Sequence, residues 1–293
     1  VSKSKNTVRS YEMKLSMFAR WMGIPKNRYK EAIPTLLSLG KVDAELKLLE
    51  YMAWMEDQGK APKTIASHLS AIKFFVKTAQ YAGWVDWSIQ TKTPKAENRK
   101  IISAPSDKKF AKILEYFEAD KSALGLRNKL MFYMISFMGL RIDEVLSLDI
   151  EHIDFIDQKA WVNPKGAEVG RVCVSVPDNT FELIKCVVGE RSSGPVFVGE
   201  KSPRLPYITA YRIVRRAGEA VGVEGVHPHA FRHFGATQAA ELTDDNIRKM
   251  QAFTRHKNPE MLDVYVKRRH DHGGQVARGI EEKWLRKNDR AND

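Results

Sequence analysis

Cysteine is scarce: Cys173 and Cys186 are the only two in 293 residues. They form no disulfide framework and no metal-ligand spacing, so a stapled secreted scaffold and a cysteine-based zinc site are both disfavoured, and a reducing, cytoplasmic home is expected. No apolar run approaches the roughly 20 residues that a membrane-spanning helix needs. The opening segment VSKSKNTVRSYEMK turns polar and amphipathic at once, which predicts no signal peptide. No internal repeat and no low-complexity segment is present, which argues against repeat arrays. Acidic charge is in deficit, with 36 Asp+Glu against 48 Lys+Arg and a formal net charge of +12. That surplus predicts a polyanionic partner, nucleic acid first. A membrane surface fits less well, because no basic segment carries a strongly apolar opposite face.

What the chain does have is the composition of a globular protein, 43% apolar and 29% charged, at a length that suits one large domain or two ordinary ones. The basic excess is uneven. Residues 1–104 hold 18 Lys+Arg against 9 Asp+Glu, and the remaining 189 hold 30 against 27. The first third reads as helices. Val8, Tyr11, Leu15, Phe18 and Met22 recur at helical spacing before Gly23; Leu46, Leu49, Ala53 and Trp54 do so before Gly59; Ile65, Leu69, Ile72, Phe75 and Val76 follow Pro62 and stop at Gly83. A four- or five-helix bundle over residues 1–91 follows. Residues 92–105, with two prolines, a cluster of Lys and Arg and no periodicity, read as a basic linker.

A second domain, 106–270, opens with Ser106 as a candidate N-cap and continues through the apolar helical run LRNKLMFYMISFMGLRIDEVLSL. The period then changes to two: Val172, Val174 and Val176 alternate with Arg171, Cys173 and Ser175, and a turn at Pro164-Lys165-Gly166 joins this strand to KAWVN. Helical patterns return afterwards. The fold class expected is mainly α with a small antiparallel β-sheet. Residues 271–293 read as a tail with an amphipathic helix carrying Val276, Ile280 and Trp284 on one side.

Four stretches of the second domain carry chemistry. Arg141 follows Gly139-Leu140, with Glu144 three positions on; Lys165 lies in the hairpin turn; His229, Arg232 and His233 crowd HPHAFRHFGATQAAEL; and His256 precedes Tyr265 by nine residues in TRHKNPEMLDVYV. Each has an ordinary structural reading. Arg141 can pair with Glu144 on a helix face, Lys165 can be a solvated turn lysine, Tyr265 can be a core aromatic, His256 a loop histidine, and His233 can cap or pack. Taken together, two guanidiniums, a lysine, histidines and a tyrosine suit attack on a phosphodiester. Arginines bind the non-bridging oxygens and stabilise the extra charge of five-coordinate phosphorus. A phenol with a pKa of ~10 needs cationic neighbours and a base to act as a nucleophile.

In order and spacing these stretches resemble the boxes of the tyrosine recombinases, the phage- and Xer-type integrases. GLRIDEVLSL resembles their first arginine box, HPHAFRHFGAT their H-x-x-R-H box, and TRHKNPEMLDVYV their closing box; the resemblance spans roughly residues 105–270 and extends more weakly to the N-terminal helices. It implies a SAM-like core-binding domain followed by an α+β catalytic domain. It also implies strand breakage and rejoining through a 3′-phosphotyrosine, with no metal, no ATP and no other cofactor. Residue by residue it implies Arg141 and Arg232 as the phosphate-binding pair, Lys165 as the general acid, His229 as the proton acceptor, His256 as a hydrogen-bond donor to the phosphate and Tyr265 as the nucleophile, with Glu144 and His233 as supports. Two departures stand out. Thr254-Arg255 precede His256 where the family usually has Leu-Gly, and the hairpin reads NPKGAEVGR, so Arg171 rivals Lys165.

The implied partner is double-stranded DNA. Lys63, His68, Lys73 and Lys77 on the third helix and Lys95, Arg99 and Lys100 in the linker are its candidate contacts. The resemblance further implies a homotetramer on synapsed DNA, a monomer or dimer when free, and a tail helix exchanged between protomers. Two rivals stand beside this reading: a type IB topoisomerase, which shares the catalytic set, and a relative that keeps the fold and binds DNA without cutting it, against which the full catalytic set argues.

Overall fold

The computed structural model describes residues 5–94, 104–164 and 170–255, together with Pro259 and Leu262. The chain divides into two compact units, residues 1–101 and 102–293. No helix among the described residues is long and apolar enough to cross a membrane.

The first unit is helical. Helices α1 (Lys5–Trp21), α2 (Ala32–Ser38), α3 (Gly40–Asp57) and α4 (Pro62–Tyr81) enclose a core of Phe18, Leu36, Leu48, Tyr51, Met55, Ile65, Leu69, Ile72 and Val76. Pro62 opens α4 at its first turn, where a missing N–H and a fixed φ cost nothing. The apolar face expected of the second helical segment is corrected here. Leu46 and Leu49 stand about half exposed, while Ala44, Leu48, Tyr51 and Met55 are buried. Apolar residues lie nearly all round α3, so spacing alone does not choose its buried side. Helix α2 has no counterpart among the helical segments read from the sequence; it is short and carries Pro34 in its first turn. The chain packs against this unit as far as Thr91, whose hydroxyl donates to Glu45 at 2.6 Å, next to the buried Ile89.

The second unit is built on α6 (Ala123–Ser136), whose buried residues are mainly apolar and against which α5 (Asp107–Ala119), α8 (Asp178–Val188) and α10 (Pro228–Leu242) pack. Ser106 takes the N-cap position of α5 in extended conformation, but its side chain makes no capping hydrogen bond. Strands β1 (Ile153–Asp154), β2 (Lys159–Val162) and β3 (Val172–Ser175) form an antiparallel sheet in that order, with Ala160 opposite Val174 and Val162 opposite Val172. Ala160 and Val162 point into the core, as a period of two requires. Helices α7 (Ile142–Leu146), α9 (Tyr207–Ala220) and α11 (Ile247–Thr254) complete the unit. Mostly helix with one small antiparallel sheet is therefore the architecture.

Candidate active site

The loop between α6 and α7 carries the first arginine. Gly139 sits at φ +58, and a Cβ there would lie 2.7 Å from the Phe253 ring, so both backbone angle and space call for glycine. Two residues on, Arg141 is the N-cap of α7. Its backbone N–H donates to Glu144 Oε2 at 2.9 Å and its Nη1 donates to Oε1 at 2.9 Å. Glu144 is 1% exposed while the Arg141 side chain keeps 26% of its surface. The pairing with Glu144 and an anion-binding role are thus compatible: the carboxylate holds one edge of the guanidinium and leaves another towards solvent.

Helix α10 brings up the second cluster. Phe231 and Phe234 are buried and anchor it; Phe234 stacks on Phe110 at 3.7 Å and Phe231 meets Phe132 edge-on at 4.9 Å. Gly235 lets α10 approach α6 closely, since a Cβ would lie 2.1 Å from the Ser136 carbonyl oxygen. The helix is capped by His227, whose Nδ1 accepts the Ala230 N–H at 3.1 Å. Burial lowers the His227 pKa from its ordinary value.

Arg232 is 1% exposed, with Nη1 donating to the Gly139 carbonyl and Nη2 to the Thr254 carbonyl. One guanidinium thus ties α10 both to the loop of Arg141 and to the end of α11. His229 opens to solvent on one side and is crowded by protein on the other. That desolvation, together with the charges of Arg232, His227 and Arg141, lowers its pKa. His229 and His233 meet edge to face at 4.5 Å.

Arg141, Glu144, His229, Arg232 and His233 therefore converge. Lys165, His256 and Tyr265 lie outside the described residues, as does the tail helix of 271–293. Arg171 is exposed just before β3. One participant was not assigned from the sequence: Arg255, in left-handed conformation at the C-cap of α11, donates to the Phe253, Met138 and Gly139 carbonyls. Nothing in its residue type announces a position that favours glycine.

The candidate DNA contacts of the first unit separate clearly. Lys63 and Lys77 are exposed on α4, and Lys77 lies over the Tyr81 ring. His68 is corrected to a core residue: it is buried and shares a 3.0 Å hydrogen bond with Tyr51. Burial and the charges of Lys14 and Lys60 lower its pKa, keeping it neutral. Lys73 donates to the Thr91 carbonyl at 2.5 Å and is partly buried, so it braces the end of the unit. Lys95, Arg99 and Lys100 fall outside the described residues.

The family model described as the phage integrase family matches residues 106–272, and that of the phage integrase N-terminal SAM-like domain matches residues 2–83. The chain belongs to the phage integrase family of tyrosine recombinases. Curated members of that family resemble it along most of its length. A tyrosine recombinase of Synechococcus elongatus is 26% identical over 292 residues, covering 94% of this chain and 88% of the relative. Tyrosine recombinase XerD of Vibrio cholerae is 26% identical over 277 residues, covering 90% and 86%. Among solved structures, the Tn1549 transposon integrase in complex with a circular intermediate DNA superposes with a TM-score of 0.64 at 15% identity, covering 93% and 99% of the two chains. The XerH site-specific recombinase bound to difH substrate gives 0.58 at 20% identity, covering 80% and 69%. This integrase-family chain thus has the family fold from its first helix to α11.

Proposed function

We propose that this tyrosine recombinase cuts and rejoins double-stranded DNA at a specific site through a 3′-phosphotyrosine on Tyr265. The observation that carries the reading is that Arg232 of α10 is tied to the loop that bears Arg141. Arg232 is bound to the carbonyl of Gly139, two residues before Arg141, with His229 beside both. Three basic groups gathered on buried supports suit a phosphodiester whose charge grows during the reaction.

In this mechanism the Tyr265 phenolic oxygen attacks phosphorus and the bond to the 5′-oxygen breaks. Arg141, with His256, holds the non-bridging oxygens, and Arg232, whose Nη groups lie on the Gly139 and Thr254 carbonyls in the free protein, joins them by exchanging a carbonyl for phosphate when DNA binds. His229 takes the phenolic proton, for which its lowered pKa keeps it neutral near pH 7. Lys165, or Arg171 in its place, delivers a proton to the departing 5′-oxygen. The new phosphoester conserves bond energy, so a 5′-hydroxyl from another strand reverses the step without ATP. Residues 1–91 serve as the core-binding domain, the basic linker lies along the duplex, and four copies assemble on two DNA sites in the cytoplasm, exchanging tail helices.

A duplex nicked near the scissile phosphate tests this. Loss of the short 5′-hydroxyl strand traps the covalent complex, which is expected with the wild type and absent with Tyr265→Phe. Relaxation of plasmids lacking any target site by monomers would instead favour a topoisomerase. DNA binding without any trapped complex would favour a silent relative.

A further inference from the structure

Arg255 stands where a left-handed backbone, φ 55 and ψ 35, disfavours any residue with a β-carbon. It is nevertheless an arginine, and its side chain is turned inward with only 9% exposed. Nη1 donates to the Phe253 carbonyl at 2.8 Å. Nη2 donates to the Gly139 carbonyl at 2.7 Å, reaches the Met138 carbonyl at 3.4 Å and lies 3.6 Å from Glu144 Oε2. That same carboxylate oxygen accepts the Arg141 backbone N–H, and its partner oxygen holds Arg141 Nη1. One carboxylate, 1% exposed, thus serves two guanidiniums. The Gly139 carbonyl likewise serves two, from Arg232 and Arg255.

We propose that Arg255 is a positioning residue that sets the guanidinium of Arg141 by sharing the Glu144 carboxylate and pinning the Met138–Gly139 turn. The proposal rests on the reading of Arg141 as a phosphate ligand given above. Arg255 reaches Arg141 through the carboxylate they share, and it is by this route that it acts on phosphate. Without it, Glu144 Oε2 loses a cationic neighbour and the turn loses a donor. The carboxylate then draws both Nη groups of Arg141 into a bidentate pair, and the guanidinium swings away from the substrate. The steric cost of an arginine in left-handed conformation is offset by these bonds.

The test measures single-turnover formation of the covalent complex on the nicked duplex, with the full chain, over a range of DNA concentrations. Arg255→Gly suits the left-handed backbone. Its maximal rate is expected to fall roughly 10- to 100-fold, as for a misplaced reacting group, while the half-saturating DNA concentration stays near the wild-type value. Arg255→Lys, which keeps the charge without the planar fork, is expected to be slow as well. Millimolar guanidinium ion is expected to restore part of the Arg255→Gly rate. In a Glu144→Gln background the Arg255→Gly change should cost little further, because the shared carboxylate is already gone. Thermal melts of each variant check folding, and Arg255→Gln carries the same expectation should the glycine variant fail to melt cooperatively. A wild-type rate in Arg255→Gly overturns the proposal. So does a loss of the same size with and without Glu144, or a rise in the half-saturating concentration at unchanged maximal rate. A wild type that forms no covalent complex overturns the recombinase reading, and this proposal with it, a result distinct from any variant effect.

Discussion

His229 illustrates how a single residue's role is set by what surrounds it. Its ring is partly desolvated and faces Arg232, His227 and Arg141, all of which disfavour the imidazolium. Its pKa is lowered from the ordinary value of about 6.5, so the proton-accepting form prevails at neutral pH. As the proton acceptor, His229 should give a rate of covalent-complex formation that rises with pH along a limb centred below about pH 6.5. His229→Gln should lose this limb and slow the reaction about 100-fold or more. A wild-type limb centred above 7, or one unchanged in His229→Gln, would assign the ionisation elsewhere. At the same scale the sequence singled out Arg141, Glu144, His229 and Arg232 by type and spacing, and the fold brings these four together. It did not announce what Arg255 does. A residue type says nothing about a left-handed backbone or about whose carbonyls a side chain will find.

At the scale of elements, two devices place α10. The first is its cap. His227 accepts the Ala230 N–H only while Nδ1 keeps its lone pair, so protonation removes the cap. Because the folded pKa is lowered, this stabilisation is complete above the unfolded value of about 6.5 and is lost as the pH falls through the folded one. His227→Ala is expected to cost about 1 kcal/mol, and His227→Ser to keep the cap at every pH. Urea melts between pH 8 and 5 should therefore show the wild type, but not the serine variant, losing this contribution on acidification. The second device is the close approach of Gly235 to Ser136. Gly235→Ala must push α10 off α6 and is expected to lower the melting temperature sharply, whereas Ala236→Gly next to it lacks that clash. The helices themselves were legible wherever one face is apolar, as in α4, whose Ile65, Leu69, Ile72 and Val76 are all buried. In α3 the periodicity pointed to the wrong side, because apolar residues surround it and only the neighbours α2 and α4 decide which are covered.

For the whole molecule, the excess of positive charge in residues 1–104 predicts DNA affinity that falls steeply with salt. Lys63→Gln and Lys77→Gln should each weaken binding to all sequences and reduce the log–log salt slope by about 1. His68→Gln should leave the slope unchanged and lower the stability of the first unit, since the ring is buried against Tyr51. A slope altered by His68→Gln alone would contradict its placement in the core. The family was within reach of the sequence because the catalytic boxes are local features. The true role of His68 was not, since a histidine on an amphipathic helix reads alike from the DNA side and from the core.

The account turns on the identity of the nucleophile, and the most direct measurement isolates the trapped complex, digests the protein and locates the nucleotide by mass spectrometry. The expected result is a 3′-phosphate ester on the phenolic oxygen of Tyr265, in a peptide containing MLDVYVK. A nucleotide on any other residue, or a trapped complex that persists in Tyr265→Phe, would contradict it.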